Sequence, residues 1–181
     1  RRAAYRRVEA GVARRVDLVG AVSHAEAELV SGLVPSDKVA VIPNGILELD
    51  DPVPPRSHHA GVVACGRVVA ARRPAETAAI LQALSSDGPV CWIGDGASDA
   101  VRAVRACDVP LTGWLDRDDA LDRMASAMVL VHWSSSDGAP LVVLEAMAHD
   151  VVVVASAIGP NRELPKEPAS WLSMKSDTPA S

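Results

Sequence analysis

The stretch MVLVHWSSSDGAPLVVLEAMAHDVVVVAS, Met128–Ser156, decides what kind of fold this chain adopts. MVLVHW (Met128–Trp133) is an apolar run of strand length. LVVLEAMAH (Leu141–His149) reads as a helix, and VVVVAS (Val151–Ser156) as a second apolar strand. Strands without polar alternation belong inside a parallel sheet covered on both faces. Between the first strand and the helix lies a polar loop that contains Asp137. The helix carries a single acid, Glu145, among apolar neighbours.

The same alternation extends outward in both directions. GVVACG (Gly61–Gly66), PVCWIG (Pro89–Gly94) and VPLTG (Val109–Gly113) read as strands. PAETAAILQAL (Pro74–Leu84), which has proline in its first turn, reads as a helix. So do a segment near Asp99–Cys107 and RDDALDRMASA (Arg117–Ala127). Upstream, VDLVGAVS (Val16–Ser23) is an expected strand, and KVAVIPNG (Lys38–Gly45) another, stopped by Pro43 and turned by Asn44-Gly45. The helix between them opens on SHAE (Ser23–Glu26), a capping box. Residues 1–15 are expected to form a helix with arginines on one side. Residues 49–60, rich in proline and charge, read as a linker, which leaves segments 1–48 and 61–181 on either side. The pattern weakens after Leu164, and the end looks ragged. The expected fold class is therefore α/β, a Rossmann-like parallel sheet with helices on both faces.

Composition narrows the function classes. Of the 181 residues 49% are apolar, with no Phe and one Tyr, so the core must be built of Val, Ala and Leu. The net charge of −5 argues against a nucleic-acid binder. Six arginines crowd the first fifteen residues; a solvated helix face is the plain reading and contact with an anionic membrane the other. Cys65, Cys91 and Cys107 lack metal-ligand spacing and are expected to be reduced. The five histidines show no ligand spacing either, so no metal site is expected. No apolar run is long enough to span a membrane. The chain begins with Arg, and the expectation is a fragment of a longer protein.

Ligands of open parallel sheets bind outside the carboxyl ends of the strands. Three features lie there. GRVVAARRP (Gly66–Pro74) follows a strand directly, and its Arg67 and Arg72 can aim guanidinium groups at phosphate oxygens. The alternative is that Arg67, Arg72 and Arg73 are ordinary surface arginines. GDG (Gly94–Gly96) allows a tight turn or the close approach of a ligand. The third feature is the helix start at Gly138, Ala139, Pro140 and Leu141, whose free N–H groups and dipole favour an anion. Asp137 reads either as a helix cap or as a contact to sugar hydroxyls. Glu145 is either solvent-exposed or needs a polar partner, for which a ribose diol would serve.

These motifs, in this order, resemble family 4 retaining glycosyltransferases of the GT-B fold, over roughly Val16 to Leu164. AVSHAEAELVSGLVPSDKVAVIPNGI (Ala21–Ile46) is similar to the family's approach to its interdomain linker. GRVVAARRP resembles its Gly-Arg loop, WIGDGAS (Trp92–Ser98) its GDG turn, and Asp137 with Glu145 its pair of acids separated by seven residues. The resemblance implies a nucleotide-sugar donor, UDP- or GDP-linked, and a glycan, lipid or small-molecule acceptor, with no metal or other cofactor. It implies that Arg67 and Arg72 meet the diphosphate, with Arg72 where the family has lysine. Asp137, where the family has glutamate, holds the transferred sugar. Glu145 binds the ribose, and Leu115 contacts the base. Gly66 and the residues from Gly138 to Leu141 line the sugar and diphosphate. Asp150 stands where the family usually has glycine. Residues 1–48 would then be the last portion of the N-terminal GT-B domain, and 61–181 a donor-binding domain truncated at its end. The expected setting is cytoplasmic, with peripheral membrane contact in the full-length protein. The expected behaviour of the fragment is weak nucleotide binding without sugar transfer. A non-catalytic nucleotide-binding or interaction subunit is the alternative. A dinucleotide-binding Rossmann protein is disfavoured because no GxGxxG follows the first strand. A GT-B epimerase is also disfavoured.

Overall fold

The computed structural model describes Val8, residues 11–13, 15–46 and 60–164, and the backbone of Trp171–Met174. The expected linker lies outside the described residues except for Ala60, as do all the arginines of the first fifteen residues except Arg15. Val8 and residues 11–13 are helical.

A small parallel pair comes first: β1 (Val19–Ala21) and β2 (Val39–Val41), joined by α1 (His24–Ser31). Ser23 caps α1 by accepting from the Glu26 N–H at 3.1 Å. The capping box differs from expectation in its second half, because the Glu26 carboxylate accepts from Val22 N–H at 2.7 Å rather than from the cap residue itself. β2 begins one residue later than expected, because Lys38 belongs to a 3-10 turn (Ser36–Lys38), and it ends before Pro43, the residue expected to stop it, which has no N–H to donate.

The main sheet has five parallel strands: β3 (Val62–Cys65), β4 (Val90–Ile93), β5 (Val129–His132), β6 (Val152–Ser156) and β7 (Trp171–Met174), in the order β4-β3-β5-β6-β7. The helices are α2 (Pro74–Ala83), α3 (Ser98–Arg105), α4 (Arg117–Ala125), α5 (Leu141–Ala148) and the short α6 (Gly159–Glu163). Strand side chains alternate between two cores. Val62 and Ala64 pack with Leu81, Trp92 and Val104 on the side of α2 and α3. Val63 packs with Met124, Leu130, Val143 and Val153 on the side of α4 and α5. The doubly covered sheet expected from the apolar runs is present.

Two expectations need correction. Val109–Gly113 is not a strand. It makes two ladder bonds to β4, Trp92 N–H to Pro110 O at 2.8 Å and Thr112 N–H to Trp92 O at 3.0 Å, and Gly113 then turns away at φ 75°. The end of the chain is not wholly ragged, since β7 pairs with β6 in register from Val153–Trp171 to Ser156–Met174.

The chain leaves β3 outward to β4 and returns to β5 on the other side of β3. The strand order therefore reverses between β3 and β5, the place where ligands of open parallel sheets bind.

Candidate functional site

The loop after β3 and the loop after β5 meet over this reversal. The loop after β3 enters α2 through a 3-10 turn, Ala70–Arg72, and Arg73 in a left-handed conformation at φ 42°. It is tied to its partner loop by the Ser135 N–H bond to Ala71 O at 2.8 Å. Arg72 and Asp137 come together, Nη2 to Oδ2 at 3.2 Å. His132, the last residue of β5, joins them with Nε2 3.3 Å from Asp137 Oδ2. Arg72 Nη1 lies 2.8 Å from His132 Nδ1 and 3.1 Å from Nε2. A single atom close to both ring nitrogens in the ring plane would collide with Cε1 between them, so the guanidinium lies against the ring face. Burial first, and then the Arg72 charge, hold the His132 pKa below its ordinary value although Asp137 pulls it upward. The lowered pKa leaves the ring neutral at pH 7, and with its proton on Nε2 the ring donates to Asp137. Burial pushes the Asp137 carboxyl up, but the His132 hydrogen bond and Arg72 outweigh it, leaving the carboxyl below its ordinary value. The other oxygen, Oδ1, accepts from Gly138 N–H at 2.9 Å.

Asp137 is thus not the helix cap. That position belongs to Pro140, which has no side-chain donor or acceptor. Leu141 and Val142 N–H have no acceptor among the described residues, so the start of α5 presents two free donors. Asn44 of the PNG segment fixes this loop by donating from Nδ2 to Ala139 O at 2.8 Å. Gly138 is packed so closely that an added Cβ would stand 3.1 Å from Val22.

Beside this cluster, at the carboxyl ends of β3 and β4, is an open cavity of about 220 Å³. Gly66, Leu115 and Glu145 line it together with Trp114, Arg117 and Val142. Glu145 is only 14% exposed, and its Oε1 accepts from Arg117 Nη2 at 2.7 Å. Arg67 is exposed and lies over the Trp114 ring, 5.8 Å from its centroid. Arg73 pairs with Glu76 at 3.1 Å, as a surface arginine would. The thiol of Cys65 at the cavity floor is pushed up to about 11, by burial first and then by the Glu145 charge, with Arg72 opposing. It is a free thiol, as its apolar run leads one to expect. Among the described residues no cluster of metal-ligating side chains occurs, and no helix is long and apolar enough to cross a membrane.

The sequence pattern of the family described as Glycosyl transferases group 1 matches residues 59–180. The chain belongs to this family. No curated protein sequence matches it at a significant level. Among solved structures, this group 1 glycosyltransferase chain is similar to Anabaena HepE in complex with UDP and glucose, with TM-score 0.81 at 19% identity over 94% of this chain and 53% of HepE. It is similar to S. aureus TarM in complex with fondaparinux, alpha-GlcNAc-glycerol and UDP, with TM-score 0.70 at 17% identity over 91% and 35%. It also resembles WaaG, a glycosyltransferase involved in lipopolysaccharide biosynthesis, with TM-score 0.65 at 14% identity over 87% and 49%. These likenesses are of fold, and the chain spans about half of the first of these structures.

The structure brings five of the expected site residues together in two groups. Arg72 and Asp137 form one cluster. Gly66, Leu115 and Glu145 share the cavity, and Val142 at the start of α5 joins them there. The reading of the sequence missed His132, Arg117, Trp114 and Asn44. His132 had one signal, a polar ring closing an apolar strand five residues before Asp137. Arg117 had none, because its partner stands 28 positions away.

Proposed function

We propose that this chain forms the nucleotide-sugar side of a retaining glycosyltransferase. The cavity at the carboxyl ends of β3 and β4 carries the proposal, because an acid (Glu145) and a ring (Trp114) line it beside a helix start with free N–H groups, and the Arg67 guanidinium lies over that ring. A nucleoside diphosphate presents the matching groups in that order: ribose hydroxyls, a flat base and a dianionic tail. In the reaction the anomeric carbon–phosphate oxygen bond breaks and a bond to the acceptor oxygen forms. The nucleoside diphosphate leaves, and the acceptor hydroxyl releases its proton. Arg67 and the N–H groups of Leu141 and Val142 would stabilise the charge that develops on the leaving diphosphate. Arg72 would add to this on leaving Asp137, whose carboxylate would then face the sugar. Residues 1–48 would belong to the acceptor-side domain, with 49–60 as the connection. That HepE and TarM were solved with UDP supports this reading.

Melting curves of the 181-residue chain with UDP, GDP and ADP test it. One of the three should raise the melting temperature, since a ligand that binds only the folded chain stabilises it. Arg67→Ala should weaken that nucleotide about tenfold, roughly 1.4 kcal/mol. No response to any of the three would remove the proposal.

A further inference from the structure

Glu145 is a carboxylate set in an apolar wall, with Ile93, Leu121, Met124 and Val142 lining the same cavity. An ionised acid so placed needs a partner. Arg117 supplies it at 2.7 Å, and among the described residues no other side chain or backbone N–H bonds to the Glu145 carboxylate. Arg117 is the first residue of α4. Its backbone position is set by Asp116, which caps that helix by accepting from Asp119 N–H at 2.9 Å. The guanidinium itself is 71% exposed, so the contact ties Glu145 to a fixed helix start without forming part of the core. Only Oε1 is taken. Oε2 remains as an acceptor on a residue that lines the cavity.

A carboxylate held by one oxygen loses much of its freedom to rotate, so the other oxygen points in a defined direction. We infer that Arg117 is the positioning residue for Glu145: it leaves Oε2 directed at the vicinal hydroxyls of a ribose, which makes the cavity selective for ribonucleotides. This rests on the proposed nucleotide site. It adds that discrimination at the sugar ring depends on a residue 28 positions away in the chain.

The test is calorimetric titration of the wild-type chain, Arg117→Ala, Arg117→Lys and Glu145→Gln with UDP and GDP and with their 2′,3′-dideoxy counterparts. A hydrogen bond to a charged group predicts that the wild type prefers the ribonucleotide about tenfold or more. Arg117→Ala should erase most of that preference by weakening the ribonucleotide, while changing dideoxynucleotide binding by no more than about twofold. Glu145→Gln should behave likewise, Arg117→Lys should restore part of the preference, and combining Arg117→Ala with Glu145→Gln should cost no more than either change alone. Equal losses for both nucleotide types would make Arg117 a general support and overturn the inference. So would a wild type that binds both types equally, although the proposed nucleotide site would then stand. No binding by UDP, GDP or ADP would remove that site and this inference with it.

Discussion

Asp137 is one methylene shorter than a glutamate, and its surroundings show what its length permits. A carboxylate on one methylene places Oδ2 between Arg72 and His132 while Oδ1 stays on the Gly138 N–H. A longer side chain at this position would carry the carboxylate about 1.5 Å further out, past those partners. Arg72 is therefore held in an ion pair with Asp137. The cluster also has a pH signature. His132 has a lowered pKa in the folded chain, so between its folded value and the ordinary value of about 6.5 the unfolded chain binds more protons. Stability is full above that window and falls as the pH drops through it. The lowered Asp137 pKa adds a further loss only at more acid pH, once the pH approaches its ordinary value near 3.8. Melting temperature should thus fall between about pH 7 and pH 5, and His132→Gln should flatten that fall. A level wild-type profile across this window would mean that the ring is not held neutral. At this scale the sequence was readable where chemistry follows position along the chain. Gly66, Asp137 and Glu145 could be placed because they follow strand ends at recognisable distances. The partners of Arg72 and Glu145 stand 60 and 28 residues away, and no local pattern encodes a pairing that only the folded sheet creates.

At the level of elements, the GDG segment owes its glycines to packing against another loop. Gly66 N–H bonds Ile93 O at 2.9 Å, Val68 N–H bonds Asp95 O at 2.8 Å, and Ala97 N–H bonds Val68 O at 3.2 Å. The loops after β3 and β4 are thus laced together, which fixes the floor of the cavity. A Cβ on Gly96 would stand 1.9 Å from Val68 O, and one on Gly94 2.4 Å from Gly66 O. Backbone oxygens cannot swing aside as side chains do. Gly96→Ala should therefore lower stability by roughly 3 kcal/mol. Gly66→Ala meets nothing within 4 Å and carries only the strain of φ 118°, so it should cost about 1–2 kcal/mol. Urea unfolding of the two variants checks the order, and equal midpoints would sink this account of GDG. The same scale shows where apolar pattern misleads. Val109–Gly113 has the composition of a strand, but Pro110 lacks an N–H and the pairing changes sense at Gly113, so only isolated bridges form, Trp92 with Leu111 and Gly94 with Gly113. β7 was overlooked because it is only four residues long and its sequence neighbours are polar. Asp150, at φ 59° between α5 and β6, explains why glycine suits that turn, since this conformation carries a steric cost for side chains with a Cβ.

For the whole molecule, the issue is what holds the small β1–α1–β2 unit against the five-stranded sheet. The hydrophobic contribution is limited, because Leu18, Leu29 and Ile42 remain exposed at 56%, 76% and 59%. Polar contacts at the ends of helices do much of the joining. The Glu163 carboxylate accepts from His24 N–H at 2.6 Å and from Ala25 N–H at 2.7 Å, two of the donors at the start of α1 that have no partner within the helix. The charge also sits favourably at the positive end of the α1 dipole. Asn44 adds the bond to Ala139 O, which links this joint to the loop that leads into α5. Gly159 lets α6 approach so closely that a Cβ there would stand 2.9 Å from Ala25 Cβ. Since α6 follows β6 directly, Glu163 connects the end of a central strand to the first helix, and a shift of one unit must be felt by the other. Glu163→Gln keeps the size but removes the charge and one acceptor oxygen, and should cost roughly 1–2 kcal/mol, the usual scale for losing a helix cap. The loss should be local. Amide hydrogen exchange should quicken in α1 and around Asn44, while Val62–Cys65 and Val129–His132 keep their protection. Uniform quickening across both sheets would show that the two units unfold as one body, and unchanged exchange in α1 would show that Glu163 does not hold the joint.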